Sequence, residues 1–175
     1  MDDRPVVTDV RSLQAGWPVV LGAWAPTIER ARALPEAALR ERVHGEFSFL
    51  ETLRHLLFAT DCWVRRTILS APTYHPFGVP PDPDPVVASW GVDLGADPGL
   101  DEVLAARREY VDLVTSVVDG LEPADWSRHC DVNPAPGHPQ LTDVPISMCF
   151  GVLLHEEWEH RRYAERDLDL LTAGG

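Results

Sequence analysis

Apolar residues recur three and four apart through four long stretches of the chain, and no stretch alternates as a half-buried strand would. The first stretch carries Trp17, Leu21, Trp24, Ile28 and Ala31, which predicts a helix from Val10 or Trp17 to Leu34. Pro18 suits its first turn, and Pro26 should kink or restart it. The second opens on Ser48-Phe49-Leu50-Glu51, the form of a capping box, in which the serine hydroxyl takes the N3 amide and the glutamate reaches back. Leu53, Leu56, Leu57, Trp63, Val64 and Ile68 carry its helical period on to about Ser70. A third helix is expected from Asp101 to Val118, with Val103, Tyr110, Val114, Val117 and Leu121 on one face and Gly120 ending it. The fourth runs from Asp143, a candidate cap, through Pro145 in the first turn to Leu170. With no internal repeat, this pattern predicts an all-α four-helix bundle.

The segments between the helices refine that picture. Leu34 to Leu39 reads as a break and a short helical turn, Glu122 to Trp126 as a single turn, and residues 127–142 as turn-rich and polar. Prolines 72, 76, 80, 81, 83, 85 and 98 interrupt every period between 71 and 100, so this stretch is expected to be a long loop pinned by Tyr74, Phe77 and Trp90. A loop of this length can cross the body of the bundle, and it would then leave the second and third helices running parallel.

Composition narrows the function classes. The 175 residues fit one domain, 1–175, with a full core. A formal charge of −13 argues against nucleic acid, whose phosphates need a basic stripe. No apolar run has the roughly 18–20 residues of a membrane span, and Met1-Asp2-Asp3-Arg4 opens no signal pattern, so a cytoplasmic protein is expected. All fifteen basic residues are arginine, which excludes Schiff-base chemistry through a lysine of this chain and points to a GC-rich genome. Cys62, Cys130 and Cys149 are widely spaced and odd in number, the pattern of reduced thiols. Cys62 and Cys149 are expected to fill the inner end of the bundle, or to form a redox-sensitive pair.

The chemistry concentrates in His155-Glu156-Glu157-Trp158-Glu159-His160 on the last helix. Glu156 and His160 are four apart, so both leave one face and can close on a divalent ion with a third ligand. His155 and Glu159 form a rival pair about 100° around the axis. Cys149, Val152, Leu153 and Tyr163 flank the first line and favour it, although a solvated face of i, i+4 pairs has the same spacing. His55 lies with Thr52, Phe58, Ala59 and Cys62 on an apolar face, where a lone histidine is most simply a core residue. His129 and His138 read as exposed loop histidines, with Cys130 a weak candidate for metal or nucleophile chemistry.

Phe47-Ser48-Phe49, Glu51 to Leu56 and Asp61-Cys62-Trp63, taken with Glu156 to His160, Arg162-Tyr163-Ala164 and Asp167-Leu168, resemble the DinB-like four-helix metalloproteins. The nearest branch includes the metal domain of mycothiol-dependent maleylpyruvate isomerase, and the likeness extends from about Trp17 to Leu170. The resemblance implies metal ligands His55, Glu156 and His160 and a divalent ion, zinc or else nickel. Those ligand positions come level if the second and fourth helices run antiparallel and are offset by roughly 10 Å if they run parallel, so antiparallel is the better fit. It further implies a low-molecular-weight thiol as nucleophile toward a small electrophile, mycothiol where the genome is actinobacterial. The printed chain ends at Gly175 without the isomerase's second domain, so the expectation is thiol S-transfer or isomerisation in the broad sense. Metal-dependent hydrolysis and a stress-response or binding module without turnover are the alternatives. Tyr163, Asp61 and Glu159 are candidate bases, no nucleic-acid or membrane partner is expected, and a homodimer is left open.

Overall fold

The computed structural model describes residues 4–82, 84–140 and 143–173. Pro83 of the proline-rich loop and positions 141 and 142 of the turn-rich segment lie outside the described residues. Every regular element among the described residues is helical: α1 (Val10–Arg32), α2 (Glu36–Leu39), α3 (Phe49–Thr60), α4 (Leu100–Asp119) and α5 (Ile146–Ala173), with short 3-10 helices at Pro85–Trp90 and Pro123–Ser127.

Local signals explain most of the boundaries. Asp9 caps α1 by accepting from the Ser12 amide at 2.7 Å, so the helix starts at Val10 and Pro18 lies inside it, not in the first turn. The helix continues through Pro26 to Arg32. Leu13, Trp17, Val20 and Trp24 are buried along one stripe, and that packing holds the helix across two missing amide donors. The predicted capping box of α3 is present, with the Glu51 amide 3.2 Å from Ser48 Oγ and the Ser48 amide 2.9 Å from Glu51 Oε2. Asp143 does not cap α5. Its φ is +67°, its carboxylate lies 2.6 Å from His129 Nδ1, and the helix begins three residues later, with the Pro145 carbonyl accepting from the Met148 amide.

The second predicted helix changes character before its end. Asp61–Arg66 form a π-helical stretch that continues α3, and the Thr67 hydroxyl donates to the Cys62 carbonyl at 2.7 Å. The wider turn rotates the chain so that Val64 joins the core between α1 and α5, while Cys62 faces Tyr74, Val87 and Val92 of the loop.

Paired side chains fix the directions of the four long helices. Thr27 meets Glu165 and Arg30 meets Asp169, so α1 and α5 run parallel. Trp17 meets Thr115 and Arg32 meets Asp101, so α1 and α4 are antiparallel. Leu57 packs on Ala106 and Tyr110 while Leu53 clusters with Val103 and Leu104, which makes α3 and α4 parallel. Glu46, just before α3, pairs with Arg166 late in α5, and Val64 packs with Ile146 and Phe150 at its start. Helices α3 and α5 are therefore antiparallel, the better fit to the ligand positions, and the segment from 71 to 99 is a crossover along α3.

One buried carboxylate anchors that crossover. Asp61, 1% exposed, accepts from the His75 amide at 2.7 Å and the Tyr110 hydroxyl at 2.9 Å, and it pairs with Arg65. Burial outweighs these donors and holds its carboxyl above the ordinary carboxylate range. The neighbouring His75 imidazole accepts from the Phe77 amide at 3.0 Å. Its pKa is lowered, first by burial and then by the Arg65 charge. A depressed histidine contributes stability that is complete above the ordinary value near 6.5 and is lost as pH falls through the folded value. Chemical denaturation between pH 7 and pH 5 should therefore show stability falling with acidification, and His75→Asn should flatten that dependence. An unchanged slope in the variant would place the acid sensitivity elsewhere.

Candidate metal centre

His55 stands on the face of α3 that meets α5, and Glu156 and His160 stand one turn apart on the facing side of α5. His55 Nε2 is 3.4 Å from Glu156 Oε2, and His160 Nδ1 is 3.2 Å from the same oxygen. One potential ligand atom from each residue lies within 4.8 Å of the other two, and this is the trio of His, Cys, Asp or Glu side chains so grouped among the described residues. His55 is buried and the other two are partly so.

Backbone carbonyls set the histidine tautomers. His55 Nδ1 is 2.9 Å from the Val79 carbonyl, and His160 Nδ1 is 3.0 Å from the Glu156 carbonyl. A carbonyl can only accept, so each Nδ1 carries a hydrogen and Nε2 is the nitrogen of each ring left to bind a metal ion. His55 Nε2 then faces a Glu156 carboxylate oxygen, and either a proton on Nε2 or a metal cation between the two atoms joins them. Ligands about 2.0–2.2 Å from a tetrahedral zinc are about 3.3–3.6 Å apart, and the 3.4 Å separation falls in that range. The residues present thus fit a divalent ion.

The electrostatics point the same way. Glu156 is held below the ordinary carboxylate range, first by its hydrogen bond with His55 and then by the nearby imidazoles, against the cost of burial. His160 is lowered, by burial first and by His55 second, so its ring is neutral and its lone pair available near pH 7. The two rings lie 4.7 Å apart, with Phe47 5.3 Å from His55 and Tyr163 edge-on to His160 at 5.9 Å. A pocket of about 570 Å³ opens beside them, lined by Phe47, Thr52, Arg54, Val79, His160 and Tyr163 among others.

The rival pair faces away. His155 is exposed and accepts from Arg4 Nη1 at 2.8 Å, and Glu159 pairs with Arg162 at 3.0 Å. Of the candidate bases, Tyr163 borders the cluster, whereas Asp61 is committed to Arg65, Tyr110 and His75, and Glu159 to Arg162. His129 and His138 are exposed, as expected of loop histidines. Cys62 and Cys149 are both buried with thiols raised to about 12 by burial, but each has another neighbour. Cys62 lies 3.9 Å from the Tyr74 hydroxyl, and Cys149 shares a hydrogen bond with Cys130. Both cysteines are core residues, as the first of the two expectations has it, and neither is in a disulfide.

Two features essential to the site had no signature in the spacing. The Val79 carbonyl comes from the proline-rich loop, whose path the sequence does not specify. Glu157, next to the ligand Glu156, is 2% exposed and pairs with Arg107 of α4 at 2.9 and 3.2 Å. The Arg107 guanidinium also lies over the Trp24 ring of α1, 5.3 Å from its centroid. A run of two glutamates reads as a solvated face, and only the fold shows that the second is inside.

A helical bundle with a histidine on one helix facing a Glu/His pair four residues apart on an antiparallel helix defines a class of candidate metalloproteins. The chain belongs to the DinB superfamily, whose sequence model matches residues 21–164. No curated protein and no solved structure matches the chain. No helix among the described residues is long and apolar enough to cross a membrane.

The buried ion pair makes a prediction about the helix that carries the site. Removing either partner alone leaves an uncompensated charge, so Glu157→Leu or Arg107→Met should each cost about 3–5 kcal/mol. The double variant should cost much less, since no buried charge remains. Urea midpoints of the four proteins measure this, and strictly additive losses would mean that the two side chains do not act as a pair.

Proposed function

We propose that the protein is a metal-dependent transferase or isomerase in which His55, Glu156 and His160 hold one divalent ion, zinc in the first instance. The observation that carries this reading is the convergence of His55 Nε2 and Glu156 Oε2, at 3.4 Å, beside the second imidazole. Two imidazoles and a carboxylate are the ligand set of open sites, which retain a position for water or substrate. When bound, such an ion lowers the pKa of a thiol or water in that position and polarises a carbonyl.

The remaining work falls to the chain's own residues. The Val79 and Glu156 carbonyls orient the two rings, and Phe47 covers the His55 ring from the pocket side. The pocket of about 570 Å³ has room for a small electrophile together with the sulfur end of a low-molecular-weight thiol. Mycothiol is the cosubstrate proposed, by resemblance to the thiol-dependent branch of the superfamily. A cytoplasmic location accords with that thiol chemistry.

A binding or stress-response module without turnover is the second reading. It is favoured by one observation: two of the three candidate bases, Asp61 and Glu159, are spent on arginines away from the cluster.

Metal analysis and a thiol requirement test these readings together. The purified chain, loaded and desalted, should retain about one zinc, with His55→Ala and His160→Ala weakening retention at least about tenfold and His155→Ala leaving it unchanged. Consumption of an electrophile should need added thiol. Equal turnover without thiol would replace transfer by hydrolysis, and full metal retention in His160→Ala would remove the ligand assignment.

A further inference from the structure

Among the described residues five arginines are not exposed, and three of these meet a carboxylate. Arg65 pairs with Asp61, Arg107 with Glu157 and Arg161 with Glu165. Arg54 and Arg66 are the two that pair with none among the described residues. A chain with 28 acidic residues does not lack partners to offer. Each of these arginines also lines a pocket.

Their remaining bonds separate the two. Arg66 donates through both Nη atoms to the Pro136 and Asn133 carbonyls, at 3.4 and 3.3 Å, and its Nε faces Gly137, where a Cβ would come within 3.0 Å. It latches the 131–140 loop and is accounted for structurally. Among the described residues Arg54 makes one hydrogen bond, from Nε to the Phe77 carbonyl at 2.8 Å, which fixes the plane of the guanidinium and leaves both Nη groups without an acceptor there. Its charge is disfavoured chiefly by burial. The other cation of that wall is spent, because Arg42 is held bidentate by Glu51 at 2.6 and 2.9 Å. The pocket therefore contains one oriented guanidinium that no carboxylate hydrogen-bonds among the described residues, and it shares that pocket with His160. Of the carboxylates on the same lining, Glu51 is held by Arg42, Glu46 and Asp167 are paired with Arg166, and Asp93 accepts from the Gly95 amide.

We infer that the pocket binds a small organic carboxylate, with the carboxylate on the Arg54 Nη atoms and the carbon skeleton along Phe47, Val79 and Tyr163 toward His160. A planar guanidinium with two free donor groups matches a carboxylate in the fork geometry that lysine cannot reproduce. Phe47 and Val79 supply the apolar contact that a bare inorganic anion would not use. The carboxylate can belong to the thiol or to the electrophile of the proposed reaction. In that respect the inference deepens the proposed function, but its anion contact rests on Arg54 and not on the metal.

The test uses propionate and its neutral isostere propionamide, titrated by amide chemical shifts into zinc-loaded and chelator-treated protein. Propionate should shift pocket residues saturably in both forms, and propionamide should bind at least about tenfold more weakly. Arg54→Met should lose the propionate response by about tenfold or more, and Arg54→Lys should recover only part of it. Equal binding of propionate and propionamide by the unaltered protein, or unchanged propionate affinity in Arg54→Met, overturns the inference even if the variant is otherwise well folded. A cobalt-loaded sample separates this from the thiol reading. There 3-mercaptopropionate and 2-mercaptoethanol should both produce a thiolate-to-cobalt absorption, with only the first sensitive to Arg54→Met. Absence of that absorption with both thiols removes the thiol but leaves the propionate result to decide the carboxylate site.

Discussion

A carboxylate buried in a helical bundle must find a cation, and the rotation of α5 about its axis is set by the one that Glu157 finds. Glu157 lies against Arg107 of α4, whose guanidinium also covers Trp24 of α1, so three helices meet at one ion pair. Adjacent residues on a helix leave it about 100° apart. Once Glu157 is fixed toward α4 and α1, Glu156 is turned toward α3, and His160, one turn on, follows it. His155 is turned outward by the same rotation and meets Arg4 at the surface. A pair of this kind adds little net stability compared with apolar side chains of similar volume. What it excludes is any other rotation of α5, because a rotated helix would bury Glu157 with no partner.

The second constraint is the direction of the chain. A hairpin between α3 and α4 would bring no backbone past His55. The crossover instead descends along α3 from its end to its start, held at the top by Asp61 and beside the site by the Val79 amide on the Arg54 carbonyl at 3.3 Å. That path places the Val79 carbonyl on His55 Nδ1 and the Phe77 carbonyl on Arg54 Nε. One loop thus fixes the tautomer of the site's first histidine and the orientation of the pocket's free arginine. The π-helical stretch at Asp61–Arg66 serves the same end, because its wider turn lets Asp61 face the loop while Val64 still packs into the core.

These constraints explain what the sequence disclosed and what it did not. The helix periods were legible because burial repeats at 3.6 residues, and the serine-glutamate cap of α3 was legible because its chemistry is local. The ligand pair on α5 was legible from spacing, and His55 only by resemblance, since one histidine on an apolar face has no partner within its own helix. The start of α5 was misread because Asp143 meets His129 instead of the helix amides, a contact fourteen residues away in sequence. Pro18 and Pro26 were read as boundaries because their local cost is visible, whereas the packing of Trp17, Val20 and Trp24 that holds the helix together belongs to the tertiary structure. Glu157, Arg54 and the Val79 carbonyl were silent for the same reason. Their roles depend on which residues lack alternatives once the chain has folded.

The distribution of charge connects the candidate centre to its pocket. Glu156 alone would leave a divalent ion with one net positive charge, and Arg54 adds a second on the pocket wall, in a protein whose overall charge is −13. Two of the carboxylates that line the same pocket are spent in pairs with arginines, Glu51 on Arg42 and Glu46 on Arg166. Asp93 and Asp167 line the same pocket, so Arg54 stands out there by its free donors and not by the net charge of the wall, and a low-dielectric surround strengthens such a contact relative to the distant surface charge. An anion entering the pocket would gain at two points, the ion and the guanidinium. A neutral ligand of the same shape would gain at neither, so selectivity would arise from where the arginines lack partners and not from the composition of the chain.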